Sequence, residues 1–383
     1  MKITVDFNEF GAALGYVNSI LSDKSVDEKV KNVIFLVKDD TVTLVGYNQI
    51  TFSRTVLEKA YCEDVPEEGW EFQIKANELN KIMTAYSNLY KTKVEVMDIE
   101  DSGVRTKITV HEIPLDADKD AKLTQDSIFD VENAPILAKI LKDIKTEFPS
   151  DCNGIVSTDV LLYLSSLLPL MSNDNNNSTA SKINFADDYV FTLNSSCSAF
   201  FLNKLPDDFK GITLGYSSVG FLKKLCEGTD MISVAKDKLY LCIESGNTQS
   251  FMRYKPIKIN YRNYVERRSK EKGISVDRLY MKDVLKRMNS IAVDGKMSIN
   301  STEYLTVAND LFQQEVPLEK CKNGTEGIAF KVSIPVLNSL ILGSDDVFSS
   351  DLFIYFVETT RSYVLYIQDT SGAWFSSMQA SKM

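Results

Sequence analysis

Ala329-Phe-Lys-Val-Ser-Ile-Pro-Val-Leu-Asn-Ser-Leu-Ile341 is the stretch that decides how this chain is read. Its first residues alternate apolar and polar side chains, the period of a half-buried strand. From Ile334 onward apolar residues recur three and four apart, the period of a helix face. Two alternating stretches follow, Leu352 to Val357 and Ser362 to Ile367, rich in β-branched and aromatic residues. The same order recurs at Glu71-Phe-Gln-Ile-Lys-Ala-Asn-Glu-Leu-Asn-Lys-Ile-Met83 and at Gly211-Ile-Thr-Leu-Gly-Tyr-Ser-Ser-Val-Gly-Phe-Leu-Lys-Lys-Leu225.

A second set of three lies between these. Ile3-Thr-Val-Asp6 leads into a helix through Leu21, Gly154-Ile-Val-Ser157 into one through Met171, and Ile274-Ser-Val-Asp277 into one through Ile291. Each runs on into paired strands, such as Val33 to Val37, Thr41 to Val45 and Gln49 to Val56. Lys38-Asp39-Asp40 and Lys236-Asp237-Lys238 supply hairpin turns. The chain therefore reads as six strand–helix–strand units taken two at a time, an α+β fold of three tandem domains. The units repeat at a domain-sized spacing, not at the short period of a solenoid. The expected boundaries are 1–149, 150–255 and 256–383. The first domain ends in an extended linker, about 113–149, holding an extra helix from Pro135 to Thr146 with Lys139, Lys142 and Lys145 along it. The Asn-rich segment 172–179 is expected to be a mobile loop.

The 383 residues, 44% hydrophobic and 25% charged, are those of a soluble globular protein. The longest apolar run, Val160 to Met171, is broken by Ser165, Ser166 and Pro169, and the first residues lack a signal-peptide layout. A cytoplasmic protein without a membrane partner is expected. Cys62, Cys152, Cys197, Cys226, Cys242 and Cys321 have no metal-ligand spacing and read as reduced packing residues, so no metal and no cofactor are expected. Nor does the chain read as an enzyme. His111 is the only histidine and falls in a strand-like stretch as a bystander. There is no glycine-rich phosphate loop. The acidic pairs Asp39-Asp40, Asp187-Asp188, Asp207-Asp208 and Asp345-Asp346 read as turns.

Net charge is −10, which taken alone argues against nucleic acid. The distribution says otherwise. Between Arg253 and Arg287 there are twelve basic residues against four acidic ones. Within that segment Arg278, Lys282 and Lys286 are four apart on one helix, with Leu279, Val284, Leu285 and Met288 expected to dock the opposite face. Lys75, Lys81, Lys223, Lys224 and Arg287 are further candidates for phosphate contacts, which read no sequence. A solvated basic face is the alternative reading for any one of them.

The layout of three domains with two units each resembles the DNA polymerase III β-subunit sliding clamp. Sharper local matches are the opening Met1-Lys-Ile-Thr-Val5 before a helix, Lys24 just after it, Phe148-Pro149 at the start of the second domain, and Tyr261-Arg-Asn-Tyr264 leading into the third. The family's Thr-Asp-Gly-x-Arg-Leu turn appears here as Asn194-Ser-Ser-Cys-Ser-Ala199, and its Met-Pro-Met-Arg-Leu ending is absent, as in a divergent clamp such as a phage encodes. The resemblance implies a head-to-tail homodimer, a ring of six domains, that encircles double-stranded DNA regardless of sequence. It implies a DNA polymerase and a clamp loader as partners, and Lys24 as a DNA contact. The positions matching the family's partner pocket are Asn194, Ser196, Ala199, Asn263, Tyr264, Ser376 and Met378. Two other readings stay open: a monomeric processivity factor held on DNA by charge, and a β-rich scaffold without DNA binding. A phage origin would place the protein in the host cytoplasm.

Overall fold

The computed structural model describes residues 1–21, 31–87, 89, 92–115, 125–133, 136–150, 154–158, 164–171, 182–194, 197–227, 229–266, 273–291, 295–301, 305–309, 311, 313–317, 321–323, 328–341, 351–369 and 374–382. The first elements are β1 (Lys2–Asp6), α1 (Phe7–Ile20), β2 (Asn32–Lys38), β3 (Thr41–Tyr47), β4 (Thr51–Leu57), β5 (Ala60–Glu63), β6 (Trp70–Lys75) and α2 (Ala76–Tyr86). Next come β7 (Thr92–Asp101), β8 (Arg105–Pro114), β9 (Gln125–Glu132), α3 (Ala138–Ile144), β10 (Gly154–Ser157) and α4 (Leu164–Leu167). The middle of the chain supplies β11 (Lys182–Phe185), β12 (Tyr189–Leu193), β13 (Cys197–Leu202), β14 (Ile212–Gly215), α5 (Tyr216–Cys226), β15 (Met231–Lys236), β16 (Tyr240–Ser245), β17 (Thr248–Arg253), β18 (Lys255–Pro256) and α6 (Arg262–Glu266). The last third supplies β19 (Gly273–Asp277), α7 (Arg278–Ile291), β20 (Lys296–Ser301), β21 (Leu305–Ala308), β22 (Gln313–Glu315), β23 (Cys321–Asn323), β24 (Ile328–Ser333), α8 (Ile334–Ile341), β25 (Asp351–Glu358), β26 (Ser362–Asp369) and β27 (Trp374–Lys382).

The repeated Val-Asp at a strand end has a local cause. Asp6 caps α1, its carboxylate accepting from the Glu9 amide at 2.9 Å, and Asp277 caps α7 by accepting from the Tyr280 amide at 2.8 Å. The hairpin between β2 and β3 has both loop residues, Asp39 and Asp40, at positive φ (48° and 59°), the two-residue turn whose twist matches the strands. Asp237 makes the β15–β16 turn by accepting from the Leu239 and Tyr240 amides, each at 2.6 Å.

The residues gather into two compact units, 1–156 with 220–253, and 157–219 with 254–383. The first unit holds a five-stranded sheet, β5-β1-β7-β8-β9, and an eight-stranded one, β10-β15-β16-β17-β4-β3-β2-β6. Its main core includes Phe10, Val17, Phe35, Phe72, Leu79, Ile99 and Val110. α1 lies close on β3, where a Cβ on Gly46 would stand 2.9 Å from the Val17 carbonyl oxygen. The second unit is one branched sheet, with the path β18-β14-β11-β12-β13-β27-β24-β20-β21-β22 and β19, β23, β25 and β26 beside it.

Two seams join strands distant in sequence. β4 pairs antiparallel with β17, placing Phe52 opposite Phe251. β13 pairs antiparallel with β27, placing Phe200 opposite Phe375. Each seam carries its own outer apolar cluster under a linker. Ile136, Ile140, Leu141, Ile144 and Phe148 pack over the first, against Phe52, Phe251 and Tyr240. Ile257, Ile259, Tyr261 and Val265 pack over the second, against Phe191, Phe200 and Phe375.

The expected 113–149 linker is corrected in two ways. Residues 125–132 are a strand that adds to β8, because Ser127, Phe129 and Val131 turn to one face while Ile128 and Asp130 stay exposed. The extra helix is shorter than expected, Ala138–Ile144, and serves as the strap over the first seam. The helix expected from Gly154-Ile-Val-Ser157 through Met171 is described only at Thr158 and from Leu164, and it tightens to a 3-10 turn over Leu168–Leu170, where Pro169 lies. The Asn-rich segment and Asp345-Asp346 lie outside the described residues.

Candidate nucleic-acid interface

The basic candidates sit on three helices. Lys75 is exposed at the junction of β6 and α2, and Lys81 is exposed on α2 itself. On α5, Lys223 is exposed, while Lys224 pairs with Glu227 at 2.7 Å. On α7, Lys282 is half-buried and Lys286 and Arg287 are exposed. Arg287 also donates to Gln314 at 3.2 Å, tying the helix to β22. Lys24 lies outside the described residues.

The expected faces of α7 need correction. Arg278 is 3% exposed and belongs with Met281, Val284, Leu285 and Met288 on the buried side, whereas Leu279 is 53% exposed. A helix advances about 100° per residue, so each step of four drifts by about 40°. From Arg278 at the edge of the buried face, Lys282 and Lys286 rotate out toward solvent, and Leu279 points the same way as Lys286. The outward basic set is therefore Lys282, Lys286 and Arg287.

The one acidic residue of α1 is also held by structure. Glu9, the only charge on α1, accepts from the Glu58 and Lys59 amides at 2.5 and 2.9 Å and so closes the β4–β5 turn.

The partner-pocket candidates converge in part. Asn194 follows β12, its side chain accepting from the Cys197 amide at 2.7 Å and donating to the Leu170 carbonyl at 2.9 Å. Ala199 and Ser376 are direct cross-strand partners on β13 and β27, and Met378 sits opposite Cys197. The structure thus brings Asn194, Ala199, Ser376 and Met378 together, but Ala199, Ser376 and Met378 are buried. Asn263 is exposed on α6. Ser196 and the Tyr264 side chain lie outside the described residues.

Sequence reading missed the sheet edge β9 and the role of His111. The alternation Ser127-Ile-Phe-Asp-Val131 was a usable strand signal, masked by the acidic residues around it. His111 lies between two carboxylates. Its Nδ1 lies 2.8 Å from Asp126 Oδ1 on β9, and its Nε2 lies 3.1 Å from Asp98 Oδ2 on β7. Asp98 in turn accepts from Thr4 at 2.6 Å and from Lys2 at 2.9 Å, both on β1. Burial works against the carboxylate, but the hydrogen bonds from Thr4, Lys2 and His111 together hold the Asp98 pKa below the ordinary range. Among the described residues no cluster of histidine, cysteine and carboxylate side chains is arranged to hold a metal ion. No described helix is long and apolar enough to cross a membrane.

No family model and no curated protein sequence matches the chain. Solved structures do. The β sliding clamp of C. crescentus superposes with a TM-score of 0.75 at 12% identity, over 100% of both chains. A putative DNA polymerase III β subunit from Eubacterium rectale gives 0.74 at 12%, again over 100% of both. The β subunit from Thermotoga maritima gives 0.73 at 13%, covering 100% of this chain and 99% of its own. From end to end, the chain has the fold of the bacterial DNA polymerase III β sliding clamp.

Proposed function

We propose that this chain is a DNA sliding clamp, a non-catalytic processivity factor that encircles duplex DNA and tethers the replicative polymerase. The observation that carries this reading is the full-length match to β clamps, covering 100% of both chains in more than one case. It is supported by basic side chains on the outer faces of α2, α5 and α7. Lys81, Lys223, Lys282, Lys286 and Arg287 contact phosphates without reading bases, and such contacts hold weakly enough to slide.

In this reading the chain comprises three clamp domains, about 1–149, 150–255 and 256–383. Two copies join head to tail to close a ring of six. The edge strand β9 pairs with β22 of the second copy, at the far edge of the other unit's sheet. Pairing removes two open sheet edges. A clamp loader opens and closes the ring, and the polymerase docks near β13 and β27. The protein acts in the cytoplasm, on DNA of any sequence.

Retention on circular against linearised DNA at raised salt tests the reading. A ring stays on circles and runs off linear ends. Equal loss from both forms points to a factor held by charge alone, and absence of any DNA retention points to a scaffold. Native mass at micromolar concentration tests the two-chain assembly.

A further inference from the structure

His111 is the only histidine in the chain, and it stands on β8, beside the edge strand β9 that the proposed ring uses to close. It is the direct cross-strand partner of Asp126 in the β8–β9 ladder. Both ring nitrogens face carboxylate oxygens, Asp126 at 2.8 Å and Asp98 at 3.1 Å. A carboxylate only accepts, so both contacts are hydrogen bonds only when both nitrogens carry protons. Neutral imidazole has one donor and would turn a lone pair toward the other acid. The geometry therefore selects the imidazolium.

The surroundings keep that charge in place. On β1, Lys2 pairs with Asp98 at 2.9 Å and Thr4 donates to it. On the neighbouring strands Lys107 pairs with Glu100 at 3.6 Å and Arg105 with Asp130 at 2.9 Å, while Glu63 on β5, opposite Lys2, and Glu132 on β9, opposite Arg105, add further negative charge. Burial works against the charged imidazole, but the hydrogen bonds to Asp126 and Asp98 outweigh it and the His111 pKa is raised.

The two ends of β9 are held differently. Near its C-terminal end, Arg105 holds Asp130, and Asn133 bonds to Asp101, a buried carboxylate that also accepts from Trp70 at 2.6 Å and Thr106 at 2.7 Å. Near its N-terminal end the side-chain ties are His111 to Asp126 and a long bond from Ser127 to Glu112, 3.4 Å. A neutral imidazole has one N–H for the two carboxylates and no charge to strengthen that bond, so this end of β9 depends on the imidazolium more than the other does.

We propose that His111 is a pH-operated pin: charged, it ties the edge strand β9 to its sheet through both carboxylates, and on losing its proton it gives up one carboxylate contact and the charge behind the other, which loosens β9 and weakens the joint that this edge makes with a second copy. The joint half of the proposal rests on the two-chain ring proposed above; the pin itself does not.

A chain with one histidine gives one imidazole signal, so the full-length protein can be titrated by NMR without assignment. The expected midpoint lies above about 6.5, the value of a free side chain. Asp126→Asn, which removes one acceptor while keeping the shape, lowers it. Through the midpoint the dimer dissociation constant from sedimentation rises several-fold with pH. Above the midpoint, β9 amides exchange faster than below it, after correction for intrinsic rates. His111→Gln removes the pH dependence of both readouts. A midpoint at or below 6.5 overturns the pin. A raised midpoint with a dimer constant that ignores it, or one whose pH dependence survives in His111→Gln, overturns its link to the joint. A chain that stays monomeric at every pH refutes the two-chain ring, while the midpoint and the β9 exchange still judge the pin.

Discussion

Phe52 and Phe251, 199 positions apart in the chain, stack face to face with ring centroids 4.4 Å apart and planes 11° from parallel. The second seam repeats the arrangement with Phe200 and Phe375, at 4.7 Å and 8°. In both, a tyrosine meets the pair edge-on. Tyr240 is 5.7 Å from Phe52 and Tyr189 is 5.8 Å from Phe375. Two linkers complete the likeness, Phe148 packing on Phe251 and Tyr261 on Phe191. Each seam is thus a strand pair reinforced on its outer face by a small aromatic core.

The first expectation concerns that core. Phe52→Ala leaves a cavity in a fully packed site and costs about 3–5 kcal/mol, read as a lower denaturant midpoint. Tyr61→Ala, at a position 62% exposed, shifts stability by no more than about 0.5 kcal/mol. A double-mutant cycle on Phe52 and Phe251 gives a coupling of about 0.5–1.5 kcal/mol beyond area burial.

The strap over the first seam makes a second. Ile144 is fully buried beneath it, Tyr47 donates to Asp143 at 2.8 Å, and Lys145 pairs with Glu71 at 2.5 Å. Ile144→Ala loses about 2–5 kcal/mol. Leu137→Ala, at the exposed start of the same strap, changes stability little. Hydrogen exchange of the β4 and β17 amides quickens in the first variant and is unaltered in the second.

Charge on the five-stranded sheet sets a pH window with two limbs of opposite sign. Asp98 has a lowered folded pKa, so its contribution is present above the unfolded value of about 3.9 and is lost as pH falls through the folded one. His111 has a raised folded pKa, so its contribution is complete below about 6.5 and is lost as pH rises through the folded one. Stability of this sheet therefore peaks between the two. Asp98→Asn flattens the acid limb and His111→Gln the alkaline limb, as measured by denaturant midpoints across pH.

The corrected faces of α7 separate two classes of variant. Charge reversal at Lys282, Lys286 and Arg287 weakens DNA retention, and the slope of log affinity against log salt falls in magnitude by about one for each phosphate contact removed. Arg278→Ala, at a buried position, instead lowers thermal stability. Equal effects of Arg278 and Lys286 substitutions on the salt slope would contradict the faces assigned here.

Much of this molecule was legible in the residue order. Strand and helix periods alternate visibly along the chain, and the Val-Asp caps, the Asp39-Asp40 turn and the Asp237 turn all act within a few residues of themselves. Local periodicity and capping are encoded locally, so six strand–helix–strand units could be read without any contact. The basic stretch was equally plain, because charge survives in the sequence whatever the fold.

What only the tertiary structure decided are the pairings between distant segments. Nothing in the order of residues says that Phe52 meets Phe251 or that Phe200 meets Phe375, since cross-strand partners are set by which sheet edges meet. The phase of α7 was ambiguous for the same reason: a run of four-residue steps spirals across a helix, and only the neighbouring core shows that Arg278 lies inside and Leu279 outside. His111 had no local signature at all. Its two carboxylates sit thirteen residues before it and fifteen after it, and become its partners only because β7, β8 and β9 lie side by side.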